Sequence, residues 1–118
     1  MLAIPTQGLA ADSATARRDA EEYAIASCLV AQSEPFLENQ GDAVGSVVIQ
    51  RGNIELDGLA GINKSVEREM AKGEIPIIRS ESGSDQTLPV LYCIEIIDKL
   101  QVRKAIEEAV AQHGATAD

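Results

Sequence analysis

Apolar residues recur at helical spacing along most of this chain. Over residues 12–32, alanine-rich sequence with apolar side chains three and four positions apart predicts a first helix that Asp12 or Ser13 can cap. Pro35 ends this helix or redirects the chain, because proline interrupts the helical hydrogen bonds. We expect the inner face of the helix to carry Ala24, Ile25, Cys28 and Leu29.

The second segment is less regular. Residues 36–41 are interpreted as a connection in which Asn39 and Gly41 make turns. Residues 42–51 follow, and the continuous β-branched run at 47–49 would suit a strand as well as a helix. A helix is predicted, because a single short strand would have no partner elsewhere in the chain.

A third helix is predicted over residues 54–72. Gly58 and Gly61 each weaken its first turns by about 1 kcal/mol relative to alanine. They would also let another helix, of the same chain or of a second subunit, approach closely. Gly73 is a natural C-terminal stop. The apolar stripe of this helix is formed by Leu56, Leu59, Ile62, Val66 and Met70.

Two more helices are predicted after a loop. The fourth covers residues 87–98, with Thr87 as its cap and Pro89 in its first turn. Its apolar face is expected to carry Val90, Leu91, Ile94 and Ile97, with Cys93 among them. The fifth covers residues 100–112 and ends before Gly114. Its inner face is expected to carry Val102, Ile106, Ala109 and Val110.

These elements predict an all-α fold, a single small domain of about five helices over residues 12–114. Residues 1–11 lack periodicity and are expected to form a disordered start, and residues 115–118 a frayed tail. The most conspicuous loop has an apolar part at 75–78 and a polar, exposed part at 79–86.

Composition narrows the class of partner. The 118 residues include 19 acidic and 10 basic side chains, a net charge of −9, so nucleic acid and anionic membrane surfaces would be repelled. This acidity fits a basic protein partner, and the alternative is that it only keeps a small protein soluble. No apolar run is long enough to span a bilayer.

The start of the chain bears on the compartment. An intact secretory signal is absent, but residues 3–11 have the small-residue, proline-containing character of the end of one. Gly8 and Ala10 would stand three positions and one position before a cleavage site. We favour a trimmed signal over a cytosolic protein with a flexible start, because two well-placed cysteines suit an oxidising compartment.

Cys28 and Cys93 are the only cysteines, and the residues alone leave two interpretations open. They can be buried thiols that behave as small apolar side chains. They can also form a disulfide that closes a long loop, worth about 4 kcal/mol in the chain-entropy model. A reactive thiol is disfavoured, because both cysteines lie on apolar helix faces with no basic neighbour.

The sequence offers no constellation for catalysis or for a metal. His113 is the single histidine, and its expected role is at the C-terminal end of the last helix. No nucleophile accompanies it, and two separated cysteines give no metal-binding spacing. We therefore predict a protein that is not an enzyme and that binds no metal or cofactor.

Two blocks of the sequence resemble a known family, the type VI secretion amidase immunity proteins (the fourth group of the Tai family). They are EYAIASCLVAQ near the start and LPVLYCIEIIDKLQVRKAIEEAV near the end, each with one cysteine. The matching residues are Tyr23, Ala26, Ser27, Cys28 and Leu29 in the first block, and Leu91, Cys93, Ile94 and Leu100 in the second. The middle of the chain departs from the family, which often carries aromatic residues there.

The resemblance implies a periplasmic, all-helical homodimer that binds and blocks a papain-like cysteine amidase. That enzyme cuts the D-glutamyl–diaminopimelate bond of peptidoglycan peptides. Such inhibitors insert a loop into the enzyme's cleft, and a helix of the second subunit also touches the enzyme. For a protein of that compartment we expect a Cys28–Cys93 disulfide between the first and fourth helices.

The polar loop at 79–86 is the candidate inhibitory element. It comprises Arg79, Ser80, Glu81, Ser82, Gly83, Ser84, Asp85 and Gln86. Its acidic, serine-rich sequence could hydrogen-bond a catalytic Cys–His pair and stay uncut. Lys64, Glu67 and Arg68 are the expected second-subunit contacts. The alternative is a small acidic helical periplasmic adaptor or chaperone without a toxin partner, in which the loop is an ordinary connection.

Overall fold

A computed structural model of the chain is all-α, as predicted, apart from a short two-stranded ladder. It describes the backbone of residues 4–73, 77–78 and 86–117, and the side chains of residues 13–73 and 87–113. The α-helices in these ranges are α1 (Ile4–Val30), α2 (Pro35–Arg51), α3 (Leu56–Met70), α4 (Pro89–Glu95) and α5 (Leu100–Ala117). Strands β1 (Ile77–Ile78) and β2 (Gln86–Thr87) precede α4, and a 3-10 turn (Ile96–Asp98) follows it.

α1 is the central helix, and each of the other four helices packs against it. Its most buried side chains are small, and Ala16, Ala20 and Ala24 have no exposed surface. Neighbouring helices can therefore lie close to its backbone. Larger side chains from the other elements fill the core, which is completed by Val48, Ile62, Val66, Ile96, Val102 and Ile106.

α1 begins at Ile4, whereas the sequence predicted a disordered start over residues 1–11 and a cap near residue 12. Its only proline is Pro5, which stands in the first turn, where proline is well tolerated. No proline interrupts the alanine-rich sequence that follows. The helix therefore extends further toward the N-terminus than its apolar period alone indicated.

α2 begins at Pro35, so the predicted connection over residues 36–41 is wrong and these residues form its first turns. Glu34 caps the helix, since its Oε1 accepts a hydrogen bond from the backbone N–H of Phe36 at 2.8 Å. Pro35 suits the first helical position, where no backbone N–H is required. Residues 44–50 are helical, as predicted.

Gly41 is a contact point between α2 and α1, not the turn residue that the sequence suggested. A Cβ atom at this position would lie 2.7 Å from the carbonyl oxygen of Ala26 and 2.8 Å from the backbone nitrogen of Val30. Gly45 is also buried, and a Cβ atom there would lie 3.7 Å from a ring carbon of Tyr23. These glycines let α2 lie directly on α1.

In α3, only one of the two noted glycines makes a close helix contact. A Cβ atom on Gly58 would lie 2.9 Å from Cβ of Ala109, in α5 of the same chain, whereas one on Gly61 would have no neighbour within 4 Å. Leu59, Ile62 and Val66 are buried, as predicted. Leu56 is 73% exposed, contrary to the prediction, because Ile54 before the helix fills the core at this end.

α5 carries Val102, Ile106, Ala109 and Val110 in the core, as predicted. It continues past Gly114 to Ala117, into the tail that was expected to fray. Among the described glycines, positive φ values occur at Gly52 and Gly73, with Gly73 at the predicted stop after α3. Gly114 lies within α5 and does not have this left-handed conformation, so it does not end the helix.

Candidate partner-binding surface

The predicted partner-binding loop falls largely outside the described residues. This applies to residues 79–85, and Gln86 is described by its backbone alone. The chain on either side is paired, since Ile77 lies opposite Thr87 and Ile78 opposite Gln86 in an antiparallel ladder. The ladder holds the two ends of the segment side by side and closes the loop at its base.

A disulfide fixes α4, which follows the ladder, to α1. Cys28 and Cys93 are bonded, as predicted, with their Cα atoms 5.4 Å apart, and neither has any exposed surface. Gln32 Nε2 donates a hydrogen bond to the carbonyl oxygen of Cys28 at 3.1 Å and contacts Cys93 Sγ at 3.6 Å. Because α4 begins at Pro89, directly after the ladder and Leu88, the bond also steadies the C-terminal end of the loop.

α4 is shorter than the helix predicted over residues 87–98. Thr87 belongs to β2 and does not cap α4, because its backbone is paired in the ladder. The N-cap is Leu88, which makes no side-chain capping hydrogen bond. At Ile96 the backbone changes to the 3-10 turn. Only two turns of α-helix are therefore available to hold this element on the core.

The face of α4 that contacts the core differs from the predicted one. Its buried side chains are Tyr92 and Cys93, continued by Ile96 of the 3-10 turn. The expected inner residues Val90, Leu91 and Ile94 are instead 48%, 41% and 50% exposed. We refer to these three residues as the outer face of α4.

Helical geometry explains this correction. Residues two positions apart are related by a rotation of about 200° around an α-helix and so lie on nearly opposite sides, and Leu91 therefore cannot face α1 when Cys93 is bonded to it. The outer face is thus a surface that the sequence reasoning missed. The position of Cys93 was the signal that could have placed Leu91 on this face, because a bonded cysteine determines which side of the helix is buried.

The predicted contacts on the third helix lie on the solvent side of α3. Lys64, Glu67 and Arg68 are exposed. Asn63 Nδ2 donates a hydrogen bond to Glu67 Oε2 at 3.4 Å, along the same side of the helix. Gly61 is exposed as well. This side of α3 therefore carries positive and negative side chains, and its backbone is exposed at Gly61.

A buried carboxylate joins α1 to the end of α2. Asp19 is 1% exposed, and its oxygens accept hydrogen bonds from Arg51 Nη1 at 2.8 Å and Asn53 Nδ2 at 2.9 Å. Arg51 also pairs with Glu22 Oε1 at 3.0 Å. Because both Asp19 oxygens are satisfied, the cost of burying the carboxylate is offset and the cluster holds the two helices together.

Charge pairs also join α1 to α5. Arg17 donates two hydrogen bonds to Glu107, from Nη2 at 2.7 Å and from Nε at 3.2 Å. This hydrogen bonding is the main reason that the pKa of the Glu107 carboxyl lies below its ordinary value. Arg103 bonds Glu21 on α1 at 3.0 Å in the same region. Both pairs are open to solvent, which limits their contribution to stability.

Among the side chains that the structure describes, no group of three or more His, Cys, Asp or Glu is placed to hold a metal ion. His113 is not at the helix end where the sequence placed it, because α5 continues to Ala117. Its Nδ1 lies 4.0 Å from a carboxylate oxygen of Glu55. A groove of about 200 Å³ between α1 and α2 is lined by residues that include Tyr23, Ser27, Gly41, Gly45 and Ile49.

A scan against models of protein families and searches of curated proteins and of solved structures found no match to this chain. Within the described ranges, no helix combines the length and the apolar character needed to cross a membrane. Three features remain from which function can be argued: the base of the loop, the outer face of α4 and the solvent side of α3.

Proposed function

We propose that this protein is an immunity protein, a non-enzymatic inhibitor that binds a type VI secreted peptidoglycan amidase in the periplasm. Its partner is a papain-like cysteine amidase with a catalytic Cys–His pair. The loop at 79–86 enters the enzyme's cleft and blocks it. Two arguments support the proposal: the resemblance of the two cysteine-bearing blocks to the Tai family, and the way that the described residues hold the ends of this loop.

The observation that carries the proposal is the closed base of the loop. The pairing of Ile78 with Gln86 brings the two ends of the segment together. Immediately afterwards α4 is tied to α1 through Cys93. A segment whose ends are held in this way loses less conformational entropy when it enters a cleft than a free chain does. This geometry suits an inhibitor that presents a loop to an enzyme.

The composition of the loop supports the same role. The carboxylates of Glu81 and Asp85 can accept hydrogen bonds from a protonated catalytic histidine, and the serine hydroxyls can donate or accept. The chain contains no D-glutamyl–diaminopimelate bond, so the loop offers the enzyme nothing that it cuts. The net charge of −9 would speed association with a basic enzyme surface.

In this proposal the inhibitor acts as a homodimer. Lys64, Glu67 and Arg68 on α3 of the second subunit contact the enzyme beside the cleft. Their exposure on the solvent side of α3 supports this role, because charged side chains at the rim of an interface pair with opposite charges on the partner. Gly58 gives no support for a dimer, since it packs against α5 of the same chain.

The loop assignment is tested by replacing residues 82–85 with alanine and measuring affinity for the cognate cysteine amidase. We expect the dissociation constant to rise at least a hundredfold, because the residues that contact the catalytic pair are removed. A matched control replaces Glu38, Asn39 and Gln40, which are exposed on α2, with alanine. This control should bind like the wild type.

Co-expression distinguishes an immunity protein from an adaptor or chaperone. An immunity protein should rescue cells that export the amidase to the periplasm, and the loop variant should fail to rescue them. Wild-type affinity in a folded loop variant would overturn the loop assignment. Absence of both rescue and binding by the wild-type protein would instead favour the adaptor or chaperone.

A further inference from the structure

We propose that the outer face of α4 is a second contact surface for the amidase, and that it takes an apolar patch of the enzyme edged with lysine or arginine. This inference rests on the proposed function for the identity of the partner. It concerns residues other than the loop and the solvent side of α3, and it can fail while the loop assignment stands.

α4 exposes several apolar side chains although it is a short element. Val90, Leu91 and Ile94 are each between 41% and 50% exposed, within a helix of seven residues. Single exposed aliphatic side chains are ordinary on protein surfaces, and Leu56 on α3 is one example at 73%. The exposed apolar side chains on α2, Phe36, Val47 and Ile49, are spread along the helix, whereas the three on α4 fall within five positions, and such a local apolar patch favours an interaction site.

The outer face of α4 is held rigidly. On the opposite side of α4, Tyr92 is 3% exposed and Cys93 is fully buried in its bond to Cys28. The outer face therefore has a fixed orientation before a partner arrives. Binding then requires little additional ordering of the backbone, which favours affinity.

Acidic side chains lie next to the apolar residues of the outer face. Glu95 lies one turn after Leu91, and Asp98 one turn after Ile94, and both acidic side chains are exposed. Asp98 has a basic neighbour, Arg103, at 3.7 Å. Within the described part of the chain, no hydrogen bond or ion pair involves the Glu95 carboxylate. A partner with basic residues around an apolar centre would complement this edge.

The same charges disfavour a second copy of this chain as the occupant. In a two-fold symmetric contact the same patch meets itself, so Glu95 and Asp98 would be brought toward their own copies. Like charges placed opposite each other at an interface are unfavourable. The outer face also follows the base of the loop directly, since β2 ends at Thr87 and α4 begins at Pro89. An enzyme that receives the loop would therefore lie close to it.

The test uses the intact, oxidised protein and the cognate cysteine amidase. The double variant Leu91→Gln/Ile94→Gln should raise the dissociation constant at least tenfold, mainly through faster dissociation, because the apolar contact is lost. The matched control is Leu56→Gln, which changes an exposed leucine on α3 and should leave affinity unchanged. Circular dichroism and thiol labelling verify that each variant is folded and disulfide-bonded.

A charge variant tests the nature of the partner surface. Glu95→Lys should slow association at least threefold at low salt and weaken its dependence on ionic strength, because an attractive charge pair becomes repulsive. Faster association in this variant would overturn the proposal of a basic edge on the enzyme.

The remaining outcomes distinguish the two proposals. If the 82–85 loop variant loses binding while Leu91→Gln/Ile94→Gln binds like the wild type, the inference about α4 is wrong and the proposed function stands. If the wild-type protein does not bind the amidase, both are wrong. If sedimentation gives a wild-type dimer that the double variant converts to a monomer, a second copy covers the outer face and the inference is also overturned.

Discussion

α2 and α4 both pack on α1, but they are held there in different ways. α2 has 17 residues and meets the backbone of α1 closely at Gly41. α4 has seven residues, contributes Tyr92 and Cys93 to the core, and is joined to α1 covalently. A short helix is marginal on its own and buries little apolar surface. The disulfide thus holds α4 on α1, whereas α2 is held there by its length and its close packing.

This difference has a consequence for function. The position of α4 does not depend on burying its outer face, because the bond at Cys93 holds the helix from the other side. Val90, Leu91 and Ile94 can therefore remain exposed without loosening the element. A covalently held helix is in this sense a better platform for binding than a helix that needs all of its apolar residues for the core.

Removing the disulfide should produce the largest change in stability. The variant Cys28→Ala/Cys93→Ala should lower the free energy of unfolding by about 4 kcal/mol, because the unfolded chain regains the entropy of a long closed loop. The bond spans 65 positions of sequence. Urea unfolding gives the change in free energy, and hydrogen exchange should reveal loss of protection in α4 before α2.

The wild-type protein with and without reducing agent is the matched control for this variant. Reduction should destabilise the wild type and leave the double variant unchanged. Two results would contradict the expectation: a loss of less than about 1 kcal/mol, which is typical of an ordinary substitution, or equal loss of protection in α2 and α4.

The fold was predictable from the sequence where local signals agree with the core. Helical spacing predicted the five helices. The predicted inner faces of α3 and α5 are confirmed at Ile62, Val66 and Ile106, which are buried. The errors occur where one residue has two possible roles. Pro35 was interpreted as a stop but serves as a start, and Gly41 as a turn but serves as a helix contact.

The exposed side of α4 was less predictable, because apolar character alone does not determine which side of a helix is buried. All of the aliphatic residues in α4 look like core residues in the sequence, yet the disulfide turns Leu91 toward solvent. Local pattern cannot supply that orientation, since it depends on the pairing of Cys93 with a residue in another helix. The loop at 79–85 lies outside the described residues, so its predicted contacts stay predictions.

A glycine substitution tests the close contact of α2 with α1. Gly41→Ala should lower the free energy of unfolding by about 1–2 kcal/mol. The added Cβ would lie 2.7 Å from the carbonyl oxygen of Ala26, a backbone atom that cannot turn aside. This clash outweighs the gain in helix propensity of about 1 kcal/mol. Thermal or urea unfolding measures the difference.

Gly61→Ala is the matched control, because the same substitution in α3 meets no atom within 4 Å. It should stabilise the protein by about 0.5–1 kcal/mol through helix propensity alone. The opposite signs of the two substitutions are the prediction. Stabilisation by both would mean that α2 does not pack on α1 as closely as described.

The smallest effect concerns α5, which charge pairs help to hold on α1. The Arg17–Glu107 pair lowers the folded-state pKa of Glu107 below its ordinary value of 4.5. Its contribution to stability is therefore present above that value and is lost as the pH falls through the lowered one. Since both side chains are 44% exposed, the contribution is about 0.5 kcal/mol.

Glu107→Gln should thus destabilise the protein at pH 7, and the difference from the wild type should shrink as the pH falls below 4.5 through the lowered pKa, because the carboxyl of the wild type then becomes protonated. Urea unfolding over this pH range measures it. Glu108→Gln removes the same formal charge from an exposed neighbour on α5 and controls for net charge. A difference for Glu107→Gln that is constant with pH would mean that the substitution acts through packing, and charge would then play no part in holding α5 on α1.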